Sequence, residues 1–471
     1  MLNFEKYSED ALKKYSNIIS DCPYNVNDIS IGSFYMWNKG VNLMFCEAEG
    51  SFISSQEILG EPAFSYPYGG NEEKAETQIL EYVNKNNFPL KFYGVTDEIL
   101  EKIKNSKNFS NLMFNYERKW SDYIYDIDEI CEFKGKKFSG QRNHINKFKK
   151  LYGEPDFRTV NREDIPKIRE MLIGYAKEHP DKGYEENEEY LHTLELMNEF
   201  LNLGLIGGSI FIDNRPVSFT VGEIQNENFI IHIEKALTKY EGVYPVTFNS
   251  FMKYVKEKYP QIKFVNREDD SGDEGLRVSK TRYHPIKMVN KYLVKINSPL
   301  YGLEEIPTII SDGLVLSKIT ENDKKDYREL CTDIDNNRLW GYDYREDPEI
   351  TGNITDDTFY DILEFDFSIG EGMSLAVREK NVSSVLLGEV IVYNFTYNGF
   401  AEVGIRLKKE NQGKGIGKKA YKLICNWAEK NLNVKLRAKC FKENKASEMM
   451  IISAGFTKTS EDAEFYYFLR V

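Results

Sequence analysis

The stretch from residue 401 to residue 420 restricts the fold of this chain more than any other, because an apolar strand leads through a glycine-rich loop into a helix. The alternating pattern predicts a strand over Phe400–Leu407, and a helical pattern covers Ile416–Asn431. Between them, glycines at positions 413, 415 and 417 let the backbone turn sharply and point N–H groups outward at the helix start. Together with the helix dipole and three nearby cations, this pattern predicts a seat for a pyrophosphate group. The cations are Lys414, Lys418 and Lys419.

Two widespread phosphate-binding loops do not fit this stretch. A Walker loop requires Ser or Thr directly after Gly-Lys, whereas Gly413-Lys414 is followed by Gly415. A dinucleotide loop requires an acidic residue about 20 residues onward to hold a ribose, and the next predicted strand, 435–439, contains none. The loop therefore belongs to another class of phosphate site.

The pattern Gln412-x-x-Gly415-x-Gly417 resembles the acyl-CoA loop of the GNAT acetyltransferases. The run Ala401-Glu402-Val403-Gly404-Ile405 resembles the strand that precedes that loop. Asn444-x-x-Ser447 and Gly455-Phe456 resemble the later motif of the family, at the expected distance. The resemblance extends over residues 312–471. It implies the GNAT fold, acetyl-CoA as co-substrate and direct attack of an amine on the thioester.

The resemblance also implies which residues hold the cofactor. Asn444 would contact it, and backbone groups would hold the rest. The pantetheine would pair with the backbone of Ile405, Arg406 and Leu407, and the pyrophosphate would bind the amides of Gln412, Gly413, Lys414, Gly415, Ile416 and Gly417.

Proton transfer is the second requirement of this chemistry. Glu402 is the candidate general base, because an ammonium ion must lose a proton before it attacks. The alternative is that Glu402 is a solvated strand carboxylate. Many GNAT enzymes protonate the leaving thiolate with a Tyr, but Ile451 stands at that position here. The proton donor is therefore unassigned, with Ser447, Tyr466 and Tyr467 as weak substitutes.

The front of the chain carries a second resemblance, beginning in a dense basic run. Seven cations and no acid lie between Lys134 and Lys150. Three groups of residues resemble the phosphatidylglycerol lysyltransferase C-terminal-like family over about residues 1–295. This resemblance implies two tandem GNAT-like domains, related to transferases that take an aminoacyl group from tRNA. The groups are Gly135-Lys136-Lys137 with Arg142-Asn143-His144, then His232-Ile233-Glu234-Lys235-Ala236, and Asn266-Arg267-Glu268-Asp269 with Gly275-Leu276-Arg277.

Three features of this half each admit two interpretations. The run Lys134–Lys150 would suit a tRNA, or it is a solvated helix face with its apolar residues inward. The polar cluster at residues 266–280 predicts an internal salt-bridge network or a zwitterionic pocket. Glu234 is a base or an ion-pair partner.

Pattern and punctuation predict a mixed α/β (α+β) chain in three segments. The two resemblances imply that these are three tandem GNAT-like modules, each a twisted mixed sheet flanked by helices. The first GNAT-like domain covers residues 1–130, the second 131–297, a linker 298–311, and the GNAT N-acetyltransferase domain 312–471. In the front half we predict strands at Gly32–Trp37 and Leu90–Val95, and helices at Glu72–Asn86 and Ile165–Glu178.

Composition limits the partners and the compartment. With 62 Lys and Arg against 75 Asp and Glu, the formal net charge of −13 argues against general nucleic-acid coating. The sequence has no signal-like start and no apolar stretch long enough to cross a bilayer, and its six cysteines form no Cys-x-x-Cys pair. We therefore expect a cytoplasmic protein with reduced thiols and no membrane partner. The five histidines lack metal-ligand spacing, so we expect no metal.

These patterns favour an acyl-CoA-dependent N-acyltransferase, most simply an N-acetyltransferase that acts on the amine of a small molecule or peptide. One alternative is an aminoacyl-tRNA-dependent transferase that acts through residues 1–297. Another is a front half that binds a metabolite or peptide and serves the acetyltransferase. We expect the acceptor near Asn337–Tyr344, whose aromatic and acidic residues would suit a cation, although a packed loop core fits the same pattern.

Overall fold

The computed structural model describes residues 2–178, 188–311, 313–346, 350, 354–382 and 384–470. These residues form three mixed β-sheets with helices, which confirms the predicted mixed α/β class. Contacts divide the chain into two compact units. Unit 1 comprises Met1–Ile79, Phe92–Ser106 and Tyr116–Leu293, and unit 2 comprises Leu80–Lys91, Lys107–Asn115 and Val294–Val471. The division into domains at residues 130, 297 and 311 stays a prediction.

The first sheet contains five strands that neighbour one another in chain order, and four helices accompany them. The strands are β1 (Glu5–Lys6), β2 (Met44–Ala48), β3 (Ser51–Ile58), β4 (Glu61–Ser65) and β5 (Leu90–Val95). The helices are α1 (Glu9–Ser20), α2 (Ile31–Met36), α3 (Glu72–Asn86) and α4 (Asp97–Asn105). Two further strands lie at the limits of the units, β6 (Met113–Tyr116) and β15 (Tyr292–Ile296).

The second sheet lies within unit 1. Its strands are β7 (Asp122–Asp126), β8 (Asp156–Thr159), β9 (Ile206–Ile212), β10 (Arg215–Pro216), β11 (Ser218–Gln225), β12 (Asn228–Ala236), β13 (Phe264–Asn266) and β14 (Lys287–Val289). They run in the order β10-β9-β11-β12-β13-β7-β14, with β8 also paired to β9. The accompanying helices are α5 (Ile127–Glu132), α6 (Ser139–Tyr152), α7 (Ile165–Glu178), α8 (Glu188–Glu199), α9 (Val243–Lys258) and α10 (Glu274–Thr281).

The third sheet lies within unit 2. Its strands are β16 (Ile309–Ser311), β17 (Leu314–Lys318), β18 (Gly372–Glu379), β19 (Gly388–Tyr393), β20 (Phe400–Leu407), β21 (Lys435–Phe441), β22 (Phe456–Glu461) and β23 (Phe465–Arg470). Their order is β16-β17-β18-β19-β20-β21-β23-β22. The helices are α11 (Lys324–Thr332), α12 (Ile334–Asn337), α13 (Thr358–Ser368), α14 (Ile416–Leu432) and α15 (Lys445–Ser453).

One local arrangement recurs in all three sheets. A strand leads into a helix, and the helix returns the chain to a parallel neighbour: β4–α3–β5, β12–α9–β13 and β20–α14–β21. Each parallel pairing is short, with two, three and three registered residue pairs respectively. In each crossover, the two parallel strands therefore pair over only two or three residues and then diverge.

Local pattern predicted several elements with the observed bounds, namely α3, β5, α7 and β20. The strand predicted at Gly32–Trp37 is wrong, because residues 31–36 form helix α2. Ser30 caps this helix through a bond from the Ser33 N–H. The N–H groups of Ile31 and Gly32 donate to the buried carboxylate of Glu223, at 3.2 and 2.8 Å. These bonds span about 190 residues of sequence and satisfy the helix start, so local pattern could not predict the helix.

The polar cluster at residues 266–280 forms the salt-bridge network. Asp270 is fully buried and accepts from Arg118 at 2.8 Å and from Arg277 at 3.0 Å. Burial raises the pKa of Asp270, but the bonds from Arg277, Tyr123 and Arg118 outweigh it and hold that pKa well below its usual range. Glu234 accepts from the buried Arg267 at 2.7 Å, so Glu234 is an ion-pair partner.

Unit 2 buries four charged side chains close together. Glu371 lies 3.2 Å from both Lys91 and Lys295, whose side chains are almost wholly buried. Asp366 lies near this group, and burial followed by the Glu371 charge raises its pKa to about 7. Since the folded pKa lies above the usual value of 3.8, the folded state binds a proton at Asp366 more tightly than the unfolded chain does.

We therefore expect Asp366→Asn to stabilise the chain above pH 7. Ionisation of Asp366 lowers the stability of the wild type progressively between about pH 4 and pH 7, and Asn escapes that cost. The variant should exceed the wild type by on the order of 2 kcal/mol at pH 8 and match it near pH 3.5. Denaturant unfolding at several pH values measures the difference.

Asp361→Asn is the matched control, because Asp361 is an exposed carboxylate on the same helix, α13. It should change stability by only a few tenths of a kcal/mol, with no growth between pH 4 and pH 8. A wild type as stable as Asp366→Asn at pH 8 would contradict the raised pKa.

Candidate active site

Strands β20 and β21 diverge just after they pair. Their parallel register comprises Phe400↔Lys435, Ala401↔Leu436 and Glu402↔Arg437, although β20 continues to Leu407 and β21 to Phe441. On its other side β20 stays paired with β19 throughout Glu402–Leu407. Residues 403–407 therefore present a strand edge toward β21 without a registered β21 partner in these fully described strands. An extended ligand can pair with such an edge.

Helix α14 begins beside this gap with an open backbone. Gly413 and Gly415 have φ values of +72° and +80°, which suit glycine, and a Cβ at either would have no atom within 4 Å. The first turn of the helix contains no acidic residue. Because the first N–H groups of a helix lack intrahelical partners, Ile416, Gly417 and Lys418 direct donors and the positive dipole end at the same space.

The corresponding helices of the other two crossovers begin differently. Helix α3 carries Glu72 and Glu73 in its first turn, whose charge repels a phosphate. Helix α9 follows Gly242, where a Cβ would lie 2.4 Å from the carbonyl oxygen of His144 in α6. Helix α6 therefore covers the start of α9. Among the three described crossovers, the start of α14 alone is both open and free of acids, so it is the one that fits a pyrophosphate.

The side chains of Arg406 and Gln412, two of the predicted cofactor residues, form hydrogen bonds within the protein. The Arg406 guanidinium is buried and donates to Glu389 at 2.7 Å. Gln412 donates through Nε2 to Asn336 Oδ1 at 2.7 Å and to the Leu407 carbonyl at 3.1 Å, which anchors the loop to the end of β20. The Gln412 N–H is also engaged, because it donates to the Lys409 carbonyl at 3.2 Å. Alternate residues of a strand point their backbone groups to opposite neighbours, so Arg406 faces β19 while Ile405 and Leu407 face the gap.

Asn444 lies at the start of helix α15, directly after β21. Its Oδ1 accepts from the Ser447 N–H at 3.0 Å and caps the helix. The structure thus gives Asn444 a clear structural role, in which the Nδ2 group is the part of its amide that could face a ligand. Its position follows β21, on the side of the gap opposite to β20.

Glu402 lies at the point where β20 and β21 part. Its side chain is 12% exposed, and Oε1 lies 3.2 Å from Arg437 Nε. Glu402 Oε2 is buried and accepts no hydrogen bond from the described residues. The group beside it is the hydroxyl of Tyr393, the register partner of Glu402 in β19, whose pKa is raised by burial and then by the Glu402 carboxylate.

A cavity of about 340 Å³ opens onto the Glu402 side chain. Sequence reasoning missed most of its lining, because the register that sets Arg437 beside Glu402 is a property of the folded sheet. The lining residues include Asn87, Phe400, Glu402, Arg437, Lys439 and Tyr467.

The weak candidates for the proton donor are all held by structure. Ile451 is buried in the core. The Tyr467 hydroxyl donates to Asp462 at 2.5 Å, and this bond is the main cause that raises the pKa of Tyr467. The ring of Tyr466 contacts the ammonium groups of Lys442, Lys445 and Lys458, and Ser447 lies in the first turn of α15. The donor stays unassigned.

In the loop Asn337–Tyr344, which was expected to suit a cationic acceptor, aromatic and acidic side chains contact other protein residues. The Trp340 ring contacts the Arg406 guanidinium at 4.8 Å, and a Cβ on Gly404 would lie 3.0 Å from that ring. Arg345 binds Asp343 and holds the pKa of that carboxyl down at about 2. The packed-loop alternative therefore describes Asn337–Tyr344 better.

Acidic neighbours neutralise much of the basic run Lys134–Lys150. Helix α6 and the turn before it form four ion pairs with exposed carboxylates. The pairs are Lys134–Glu132, Lys137–Glu129, Lys147–Glu241 and Lys149–Glu154. The positive field of the run is correspondingly weaker than the sequence alone implies.

No cluster of three or more His, Cys, Asp or Glu side chains is arranged to hold a metal ion within the described ranges. None of the described helices has the length and apolarity that crossing a membrane requires.

Comparison with known proteins finds two families in this chain. The family described as phosphatidylglycerol lysyltransferase, C-terminal, matches residues 23–295. The family described as acetyltransferase (GNAT) domain matches residues 313–457. Both agree with the resemblances seen in the sequence. Residues 313–457 therefore carry a GNAT acetyltransferase domain.

Solved structures show how far the likeness extends. A conserved protein of unknown function from Bacteroides thetaiotaomicron is 24% identical, covers 63% of this chain and 100% of its own, and has a TM-score of 0.58. L-PGS from Bacillus licheniformis is 14% identical over 62% of this chain and 92% of its own, with a TM-score of 0.45. Spermidine N-acetyltransferase from Vibrio cholerae, in complex with CoA and spermine, is 16% identical over 34% of this chain and 97% of its own, with a TM-score of 0.29.

One curated relative also matches. An uncharacterized protein of Mycoplasmoides gallisepticum is 22% identical over 178 residues, or 37% of this chain. The chain spans 56% of the length of that relative.

The seat at α14 predicts that acetyl-CoA raises the melting temperature of the wild-type chain, because a ligand that binds the folded state stabilises it. At 100 times its dissociation constant, the ligand should add about 2.7 kcal/mol. Gly415→Glu should remove the shift, because it sets a carboxylate where the phosphates bind. Differential scanning fluorimetry with and without acetyl-CoA measures both.

Gly204→Glu controls for backbone strain and added charge. Gly204 has a φ of +77° and open space around a Cβ, as Gly415 does, but it lies in unit 1. This control should keep the full shift. A shift that persists in Gly415→Glu would place the cofactor elsewhere.

Proposed function

Because this chain belongs to the phosphatidylglycerol lysyltransferase C-terminal family and carries a GNAT acetyltransferase domain, we propose that unit 2 transfers an acetyl group from acetyl-CoA to the amine of a small molecule or peptide. The observation that carries the proposal is the divergence of β20 from β21 after Glu402. This divergence brings together an open strand edge, the open start of α14 and a carboxylate that faces a cavity.

The fit of the residues supports a division of labour for the cofactor. The stretch Ile405–Leu407 pairs with the pantetheine arm, as a strand would, through the backbone of Ile405 and Leu407, while Arg406 between them faces β19. The amides from Gly413 to Gly417 bind the pyrophosphate, and Gln412 anchors the loop. Asn444 offers its Nδ2 group, since its Oδ1 is engaged in capping. Acetyl-CoA supplies an activated acyl group as a thioester.

The acceptor amine enters from the cavity that Glu402 faces. The ammonium ion first gives a proton to the Glu402 carboxylate, directly or through a water molecule. The nitrogen lone pair then attacks the thioester carbonyl carbon while a backbone N–H stabilises the oxygen that gains charge. The C–S bond breaks, and the second proton lost by the nitrogen ends on the thiolate. The products are the acetylated amine, free CoA and one proton, which leaves Glu402 for solvent.

Glu402→Gln should lower kcat by roughly 10²-fold or more, because the amide cannot accept the proton. The dissociation constant for acetyl-CoA should stay unchanged, since Glu402 faces the acceptor cavity. The loss should shrink as pH rises, because more of the acceptor is then already the free amine. Release of free CoA, followed across pH with a thiol reagent, measures these rates.

Glu410→Gln is the matched control. Glu410 is an exposed acid in the turn between β20 and the glycine loop, so the same chemical change leaves the cavity untouched. It should keep the wild-type rate. Wild-type turnover in Glu402→Gln at neutral pH would remove Glu402 as the base.

The family match over residues 23–295 favours a second candidate function, aminoacyl transfer from charged tRNA. The run Lys134–Lys150 is the surface that would receive the tRNA. Its four ion pairs argue for weak binding, because each carboxylate cancels a charge that would otherwise meet a phosphate.

For this candidate, charged tRNA should bind with an affinity that falls steeply as salt rises. Reversing Lys147 and Lys149 to Glu should weaken binding about tenfold or more at low salt and flatten the salt dependence. Filter binding at several salt concentrations measures both. A double reversal of Lys422 and Lys430 on α14 is the matched control, and equal losses in the two double variants would exclude the run as the tRNA surface.

A further inference from the structure

The charges around the acceptor cavity identify what kind of amine it takes. We propose that the acceptor is an amine whose other end carries an anionic group, most simply a carboxylate. The proposal rests on the acetyl transfer proposed above, and it adds the substrate class and the residues that select it.

The cavity wall carries more positive than negative charge. Arg437 and Lys439 are the cations among the lining residues, and Glu402 is the acid. A second carboxylate lies close by, that of Asp462, but it accepts bonds from the Tyr467 hydroxyl and from the N–H groups of Glu464 and Phe465. These bonds lower the pKa of Asp462 and keep it ionised, but it is not itself one of the lining residues. Arg437 is paired with Glu402 at 3.2 Å, so the charge that remains for the far end of a ligand is that of Lys439, which would repel a second ammonium group.

The charges are also separated in the right way for a ligand with unlike ends. Arg437 is the register partner of Glu402, and Lys439 lies two residues further along β21 on the same face. Two residues of strand correspond to about 6.5 Å. An amine that gives its proton to the Glu402 carboxylate can therefore place an anion beside Lys439 through a short spacer.

An aromatic ring lies beside the proposed far end of the ligand. Lys439 is held near the Phe465 ring at 5.4 Å, whereas Phe400 is level with Lys435 and lies on the other side of Glu402. The wall thus offers an acceptor of protons at Glu402 and a cationic donor at Lys439.

Asn87 completes the wall from an early part of the chain. Residues Leu80–Lys91 belong to unit 2, and Asn87 lines the cavity. The Asn398 side chain donates to Asn87 Oδ1 at 2.6 Å, which fixes the amide so that its Nδ2 donors remain to meet a ligand. Because Asn398 lies just before β20, Asn87 lies at the Phe400 end of the cavity, on the other side of Glu402 from Lys439.

Three amines of nearly equal shape test the charge at the far end. They are 6-aminohexanoate, 1,6-diaminohexane and hexylamine, which carry an anion, a cation and a methyl group at that end. With the full chain and acetyl-CoA, we expect kcat/KM for 6-aminohexanoate to exceed the other two by about tenfold, the effect of one charge-assisted hydrogen bond. The Michaelis constant for acetyl-CoA should be the same with all three.

Lys439→Glu should reverse the order and make 1,6-diaminohexane the best of the three. Lys439 is exposed, so the variant should fold, and its melting temperature checks this. Lys430→Glu on α14 makes the same charge change outside the cavity and should keep the wild-type order.

A binding measurement separates this proposal from the acetyl transfer on which it rests. In the presence of CoA, 6-aminohexanoate should raise the melting temperature further, and 1,6-diaminohexane should not. If no amine is acetylated but this Lys439-dependent shift is seen, the substrate class stands and acetyl transfer to amines falls. If hexylamine or 1,6-diaminohexane is acetylated as well as 6-aminohexanoate, the substrate class is overturned and acetyl transfer stands. If neither turnover nor binding prefers the anionic amine, the substrate class is overturned.

Discussion

The chemistry of unit 2 depends on where the pairing of β20 with β21 stops. Three residue pairs hold the strands together, and the last of them joins Glu402 to Arg437. Beyond that pair the strands part, so the backbone of β20 loses its neighbour on one side while β19 still holds the other. The same event opens a strand edge, with which the proposed pantetheine arm would pair, and brings a carboxylate to the wall of the cavity. Had the strands stayed paired to Leu407, neither feature would exist.

The same crossover occurs three times in the chain, yet the details at each helix start decide what it can bind. Acidic residues occupy the first turn of α3, and the backbone of His144 closes the start of α9. The start of α14 has glycines with left-handed backbone and open space. A repeated fold therefore does not imply a repeated cofactor site, because the phosphate seat depends on a few residues in one turn.

The sequence predicted those parts of unit 2 that are local. The strand Phe400–Leu407, the glycine loop and the start of the helix at Ile416 follow from alternation, glycine spacing and helical periodicity. The partners of Glu402 could not be predicted in this way, because Arg437 becomes its neighbour through the register of two strands 35 residues apart. Helix α2 shows the same limit, since Glu223 satisfies its first N–H groups from the far side of a long sequence separation. The Lys147–Glu241 pair shows it for charge, because a basic run is neutralised by acids that fold onto it.

The distribution of charge connects these findings. A formal net charge of −13 repels large polyanions from most of the surface, and the ion pairs of α6 weaken the densest basic run. Two places in unit 2 depart from this average, the start of α14 with its lysines and the cavity wall with Arg437 and Lys439. Small anionic groups can reach such places because their charge is compact and their contacts are short, whereas a long polyanion must also meet the acidic surroundings. The net negative charge of the chain and the two cationic places in unit 2 thus act together in selecting ligands. They favour ligands that carry a phosphate or a carboxylate at one end and are otherwise small.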